Sequence, residues 1–278
     1  MIISNPWFAL SIMEEQEKID MAIINENGHY IGPLGNVRFY TLNGKNVVAT
    51  KGGPDANDIK KKPSYAYTRA HNREFGIVSK VASSIYNSHQ ATRPFRYPYA
   101  YQELRKYLFR MLSFDVVNPH GERSLLFSKA DQHFKFMQIT AKNYAEMVRI
   151  PIEVSKHEAE EISLSIKPTA INSHITFPTK YDQMVMDIYL QGVQDIVYQE
   201  SLKKYNFHHY QSVLPLTPIG SFEFFKHLNT DDMVCTSKVS SGYHYMVFAV
   251  ATFTAKSKPN LSPIHTAACI QVIPSEQE

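Results

Sequence analysis

Long apolar segments are absent from this sequence, since no stretch approaches the roughly 18 consecutive apolar residues that predict a transmembrane helix. The first residues turn acidic after a short apolar run, whereas a secretory signal begins with basic residues and ends at a small-residue cleavage site. The sequence therefore predicts no membrane span and no cleaved signal peptide. We expect a protein that is cytoplasmic or part of an assembled particle.

Cysteine is also scarce, with only Cys235 and Cys269 in 278 residues. Both lie in apolar, strand-like runs, which favours reduced core residues over a disulfide framework. The nucleotide-binding and hydrolase motifs GxxxxGK[ST], GxGxxG and GxSxG do not occur, and neither do the zinc motifs HExxH and CxxC. His265 and Cys269 share one face of a predicted strand, but they are about 13 Å apart, too far to bind one zinc ion. We predict no catalytic residue, no metal site and no cofactor, and we expect a protein that is not an enzyme.

Positive charge, in contrast, is concentrated in one part of the chain. Between Asn36 and Arg110, which we call the basic segment, fourteen Lys or Arg residues stand against four acidic residues, a local net charge of +10. The residues before this segment carry −4 and those after it −3, so the total of +3 hides the asymmetry. Such a segment indicates an anionic partner: nucleic acid, a membrane surface, or an acidic face of the same or a neighbouring subunit.

The basic segment begins with a hairpin pattern. The runs Asn36–Thr41 and Lys45–Thr50 flank Leu42-Asn43-Gly44, and Asn-Gly is the strongest short hairpin signal. Because side chains alternate along a strand, one face of this hairpin is predicted to be apolar, with Val37 and Phe39, and the other basic and aromatic.

Two amphipathic helices are predicted after the hairpin. The apolar stripe of the first helix comprises Phe75, Val78, Ala82 and Ile85. A second helix is expected from about Ala100 to Ser113, with apolar residues at helical spacing.

Later in the chain the pattern changes to alternating, strand-like runs. The clearest are Ile162–Ile166, Met184–Leu190, Tyr243–Ala255 and His265–Ile273, separated by turn-forming residues. Several strands without long helices between them predict an antiparallel sandwich of immunoglobulin-like architecture. The sequence thus predicts an α+β fold in three parts: an N-terminal arm (1–32), a basic module of one hairpin and two helices (33–125), and a β-sandwich domain (126–278).

The candidate binding residues come from the basic segment. On a helix, Arg69, Arg73 and Lys80 share one face, and the lysine run precedes them in an extended link. The full candidate set for binding a partner or nucleic acid is Arg38, Lys60, Lys61, Lys62, Arg69, Arg73, Lys80, Lys106 and Arg110.

Parts of the basic segment resemble a known group of sequences. The residues Gly35–Tyr40, Asn43–Lys45 and Thr68–Gly76 match the patterns GxVxFY, NGK and TRxxNxEFG, and Gly121–Arg123 continues the likeness. In these motifs the chain resembles a family of uncharacterised proteins from Bacteroidota, over about residues 33–125. A weaker similarity is to phage-type structural proteins, in which a strand-plus-helix arm precedes a β-sandwich. The first resemblance implies no catalytic residues.

Three functions remain open from the sequence. The first is a structural or self-assembling protein that forms a homo-oligomer. Its hairpin would pack on a neighbouring subunit and its basic helices would dock on that subunit's acidic surface. The chain's richness in Tyr and Phe and its lack of catalytic motifs favour this function. The second is nucleic-acid binding, with Tyr40, Tyr65 and Tyr67 stacking on bases and the lysines and arginines on phosphates. The third is a carbohydrate-binding or enzymatic sandwich that uses a tyrosine-rich face.

Overall fold

The computed structural model describes residues 22–50, 52–89, 96–157, 161–167, 174–226, 233–256 and 258–275. They form an α+β fold in which the paired strands run antiparallel. The chain divides into two compact units, Met1–Lys62 and Pro63–Glu278, which we call the N-terminal unit and the main unit. The division falls directly after the lysine run.

In its described residues, 22–50 and 52–62, the N-terminal unit contains four short strands and one helix: β1 (Ile23–Ile24), β2 (Tyr30–Leu34), β3 (Val37–Leu42), β4 (Lys45–Thr50) and α1 (Ala56–Lys61). The strands form a meander in the order β1-β2-β3-β4. The predicted hairpin is confirmed: Leu42 pairs with Lys45 across Asn43 and Gly44, whose φ angles of 50° and 75° suit a two-residue turn. The sheet is wider than the hairpin because Gly35, at φ 55°, permits another tight turn between β2 and β3.

The helices of the main unit are α2 (Ala66–Ser88), α3 (Ala100–Met111) and the short α4 (Tyr144–Met147). The first two confirm the predicted helices. Val78, Ala82 and Ile85 of the predicted stripe are buried, but Phe75 is 41% exposed. Its ring lies beneath the Arg105 guanidinium of α3, 4.9 Å from the ring centre, rather than in the core. No helix in the described part of the chain is long and apolar enough to cross a membrane.

The strands of the main unit are β5 (Met137–Gln138), β6 (Glu153–His157), β7 (Glu161–Ile166), β8 (Gln183–Val193), β9 (Tyr198–Gln199), β10 (Lys204–Tyr205), β11 (Thr217–Phe225), β12 (Met233–Lys238), β13 (His244–Thr254) and β14 (Ile264–Ile273). They form a five-stranded sheet in the order β11-β8-β13-β14-β5, a three-stranded sheet in the order β12-β7-β6, and the pair β10-β9. The four strands expected from alternation correspond to β7, β8, β13 and β14.

Two cores lie on opposite faces of the five-stranded sheet. In the first, Val78 of α2 and Leu108 of α3 pack with Phe248 of β13. In the second, Leu164 of the three-stranded sheet packs with Val247, the neighbour of Phe248. Because β13 is covered on both faces, its sequence is almost continuously apolar instead of alternating. Both cysteines are free and buried, as predicted.

Candidate interaction surfaces

One face of the N-terminal sheet is apolar and carries no charge. Directly paired residues of antiparallel strands share a face, and the pairs Phe39–Val48 and Leu34–Val37 fix which residues lie together. The residues of this surface, which we call the apolar face, are Ile24, Tyr30, Gly32, Leu34, Val37, Phe39, Thr41, Asn46, Val48 and Thr50. Arg38, Tyr40 and Lys45 lie on the opposite face, as the alternation predicted, but that face is not purely basic and aromatic, since Pro33, Val47 and Ala49 lie beside them.

The apolar face is only partly covered. Its side chains keep large exposed fractions: 62% at Ile24, 50% at Tyr30, 51% at Leu34 and 57% at Val48. No described residue between 22 and 62 is buried. A sheet of this size normally gains its stability by burying one hydrophobic face. The N-terminal unit therefore presents the kind of surface that a further element or partner covers.

The nine predicted basic residues fall in both units. Arg38 lies on β3 and the lysine run ends α1, whereas the other five lie on α2 and α3. The basic segment is thus divided by the boundary after Lys62. Because only Lys62 directly precedes the proline and is extended, the prediction of an extended lysine link is wrong for Lys60 and Lys61, which occupy the last turn of α1. Cations are favoured at that position by the helix dipole, which gives these lysines a structural role beside any binding role.

Several of the nine are engaged within the chain. The ion pairs are Lys62–Asp58 at 2.6 Å, Arg73–Glu122 at 2.9 Å and Lys106–Glu103 at 3.5 Å. Arg69 also has an internal contact. The remaining residues are exposed and form no ion pair within the described ranges: Arg38, Lys60, Lys61, Lys80 and Arg110. Part of the local +10 charge is therefore neutralised internally, and of the nine predicted residues these five are left for an external anion.

A buried carboxylate connects α2 to the loop that follows α3. The Glu74 side chain is fully buried and accepts hydrogen bonds from the Gly121 N–H at 2.8 Å and from Arg123 Nε and Nη2 at 2.8 and 2.7 Å, with His120 Nε2 at 3.4 Å. Burial alone raises the pKa of Glu74, but the bonds from Arg123 and Gly121 outweigh burial and hold that pKa below its usual value. Sequence reasoning did not assign this pair a role. Glu74 and Arg123 belong to two of the motifs quoted above, and the structure brings those motifs into contact.

Aromatic and cationic side chains line the outer junction of α2 and α3. Tyr67 stacks on His120 with ring centres 4.5 Å apart, His120 is 6.0 Å from His71, and His71 is 5.4 Å from Phe109. Arg105 then covers the neighbouring rings. This surface, which we call the ring seam, comprises Tyr67, His71, Phe75, Tyr101, Arg105, Phe109 and His120. Tyr67, 71% exposed, presents the most accessible tyrosine or phenylalanine ring of the seam.

The side chains of Asp195, His244 and Ser275 form a contact that sequence patterns did not reveal. His244 Nε2 lies 3.2 Å from Asp195 Oδ1, and the Ser275 Oγ lies 3.3 Å from His244 Nδ1. However, the Ser275 backbone N–H donates to the same Nδ1 at 2.9 Å, so its lone pair is occupied and cannot accept the hydroxyl proton. Ser128 donates to both Asp195 oxygens, and burial, which raises the pKa of Asp195, is outweighed by the His244 and Ser128 bonds that lower it. The set therefore holds strand ends together and does not activate a nucleophile.

Among the residues that the structure describes, no three His, Cys, Asp or Glu side chains gather to hold a metal ion. Comparison of the chain with protein-family models, curated proteins and solved structures gives no match. Any functional assignment therefore depends on the surfaces described above.

Proposed function

We propose that this protein is a structural, self-assembling subunit, and that the apolar face of its N-terminal unit packs against the same face of a second copy. The supporting observation is a four-stranded sheet that has no buried residue and an apolar surface without a single charge. Such a face is complementary to itself, because two copies meet without like-charge repulsion, as a two-fold symmetric interface requires.

The structure allows an estimate of the strength of this contact. Fully burying a large apolar side chain contributes about 1.5–3 kcal/mol, so a side chain that is already half buried contributes about 1 kcal/mol when the interface covers the rest of it. Four such side chains in each copy, Ile24, Tyr30, Leu34 and Val48, therefore supply about 8 kcal/mol. Association costs about 4–15 kcal/mol, so the apolar face alone gives a weak, concentration-dependent dimer.

Additional contacts would strengthen the assembly. The exposed Arg38, Lys80 and Arg110 have no ion pair in the described part of the chain, and they would dock on the acidic surface of a neighbour. Such contacts between exposed charges weaken as salt screens them. A particle or filament built in this way would also use the two facing sheets of the main unit, for which we propose an immunoglobulin-like sandwich, as a rigid body.

Sedimentation velocity over a range of protein concentrations tests the proposal. Leu34 on the apolar face and Leu42 on the opposite face are 51% and 54% exposed, so Leu34→Lys and Leu42→Lys form a matched pair. We expect Leu34→Lys to raise the dimer dissociation constant at least tenfold, about 1.4 kcal/mol, because it places an unpaired charge in the interface. Leu42→Lys should leave association unchanged.

Two results would overturn the proposal. One is a wild-type protein that stays monomeric at high concentration and low salt. The other is an equal effect of both lysine substitutions on association. A monomer that Leu34→Lys destabilises against urea would instead mean that the apolar face is covered within one chain.

The ring seam favours a second candidate function, binding of single-stranded nucleic acid. Exposed rings beside arginines stack on bases, each stack contributing about 1–3 kcal/mol, while nearby cations contact phosphates. Fluorescence anisotropy with a labelled oligothymidylate should then show a salt slope of about −0.7 per phosphate contact. Tyr67→Ala should weaken binding about tenfold, and the 66% exposed Tyr99, outside the seam, is the control. No binding at low salt would exclude this function.

A further inference from the structure

The main unit contains an open cleft of ≈ 820 Å³ beside the last turns of α2. One wall is formed by Ser84, Asn87 and Ser88 of α2, and the other by residues of the segment 209–218, with Tyr189 of β8 contributing a ring. Small-molecule sites typically have volumes of about 300–1,000 Å³. The cleft is thus of a size that holds a small ligand, and neither the apolar face nor the ring seam contributes to it.

A buried amide holds the two walls of the cleft in place. Gln191 is fully buried, and its side-chain N–H groups donate to Ser88 Oγ on one wall and to the Leu214 carbonyl, at 3.2 Å, on the other. Its carbonyl accepts a bond from His89 Nε2 at 3.1 Å. Because one side chain forms hydrogen bonds to both walls, the shape of the cleft is set before any ligand binds. This preorganisation lowers the entropic cost of binding.

The lining of the cleft selects against charged ligands. Among the residues that the structure describes, those that line the cleft include no lysine, arginine, aspartate or glutamate. A phosphate or carboxylate placed there would lose its water without meeting a countercharge, which is costly. The polar groups instead both donate and accept: the Ser84 hydroxyl contacts His209 Nδ1, and the Asn87 amide, which donates to Ser83 Oγ at 3.1 Å, has further donor and acceptor positions.

The remaining surface of the cleft is apolar and aromatic. Leu214, Pro215 and Pro218 line it, and Tyr210 at its rim is 85% exposed. A purely apolar ligand would desolvate the Asn87 amide without bonding its remaining donor and acceptor positions. A ligand with hydroxyl groups on its edge and C–H groups on its faces satisfies both surfaces, since its edge bonds the α2 side chains and its face packs on a tyrosine ring. We propose that this cleft binds a neutral oligosaccharide.

Saturation-transfer NMR and titration calorimetry with maltose, cellobiose and diacetylchitobiose test the proposal on the full chain. At least one of these sugars should bind, and Asn87→Ala and Tyr210→Ala should each weaken it at least about tenfold. Tyr99→Ala is the matched control, because Tyr99 is also a highly exposed tyrosine, 66% exposed, and does not line the cleft. Its affinity for the sugar should equal that of the wild type. Circular dichroism melts establish that the variants remain folded.

The outcomes separate the alternatives. Binding that both cleft variants weaken and the control does not supports the proposal. Failure of all three sugars to bind overturns it, as does binding that Asn87→Ala and Tyr210→Ala leave unchanged. If uridine or adenosine binds with the same dependence on Asn87 and Tyr210 while the sugars do not, the cleft is a nucleoside site and the carbohydrate assignment is wrong. The sedimentation experiments on Leu34 are independent of all these results.

Discussion

Replacing Glu74 with Gln preserves the shape of a fully buried side chain but removes the charge that faces Arg123. Three donor atoms lie within 2.8 Å of the Glu74 carboxylate, two of them on Arg123. The glutamine Oε1 can accept from one side, but its NH2 group then points at a donor. Glu74→Gln therefore leaves a guanidinium without its countercharge and with at least one unmade hydrogen bond.

The expected cost follows from the burial of the pair. Removing one partner of a buried ion pair typically destabilises by about 3–5 kcal/mol. The Arg123 side chain is 26% exposed, so water can solvate it in part, and we expect the lower end of the range, about 3 kcal/mol. Glu122→Gln is the matched control, because the neighbouring Glu122 also pairs with an arginine but both partners are 33–40% exposed. Exposed pairs contribute about 0–1 kcal/mol.

Urea unfolding of the three proteins at pH 7, followed by circular dichroism, measures the difference. The midpoint should fall clearly for Glu74→Gln and hardly at all for Glu122→Gln, with similar slopes. In the double variant Glu74→Gln/Arg123→Met, the second substitution removes the uncompensated charge, so its cost should be smaller than the sum of the single costs. If Glu74→Gln and Glu122→Gln destabilise equally, the buried carboxylate does not organise the contact between α2 and the loop.

Three further predictions concern the main unit. In Gly121→Ala, the new Cβ would lie 2.6 Å from the Ala70 Cβ, and the residue would have to keep a backbone φ of +96°. We therefore expect the free energy of unfolding, measured by urea denaturation, to decrease by more than about 2 kcal/mol. Burial lowers the pKa of His89 to about 3. Below about pH 6.5 the unfolded chain therefore binds a proton at this residue that the folded chain does not bind. The free energy of unfolding should decrease by about 1.4 kcal/mol per pH unit as the pH falls from about 6.5 to about 3. His89→Gln should flatten that slope in pH-dependent melts, and an unchanged slope would contradict it. The pKa of Asp195 is lowered in the fold, so its stabilisation is present above the ordinary carboxyl pKa of about 3.9 and lost as the pH falls through the folded pKa; Asp195→Asn should therefore be less stable than wild type at pH 7, with a difference that shrinks in acid.

Local patterns predicted the hairpin, the helices α2 and α3, and four strands of the main unit. Asn43-Gly44 predicted the hairpin because this pair adopts positive φ readily. Apolar spacing predicted α2 and α3, and the nearly continuous apolar run of β13 predicted a core strand. These signals depend on backbone sterics and on the period of burial, which neighbouring residues decide among themselves. For this reason the α+β composition was accessible from the sequence.

The neutralisation of charges could not be predicted in the same way. A count of basic residues does not reveal that Arg73 meets Glu122, which lies 49 positions later in the chain. Helical spacing also does not show that Phe75 of α2 lies under Arg105 of α3 rather than in the core, because a residue at the edge of an apolar stripe can face either the core or a neighbouring helix. Contacts of this kind arise only when distant elements pack together.

For this protein, then, the sequence alone determined the hairpin, the helices α2 and α3, four strands of the main unit, and the concentration of charge between Asn36 and Arg110. Only the tertiary structure decided which cations are already paired, that Glu74 is buried against Arg123, and that Gln191 holds a cleft open beside α2. The physical reason is range: periodicity and turn preference act over a few residues, whereas burial, ion pairing and cavity shape depend on residues that meet only after folding.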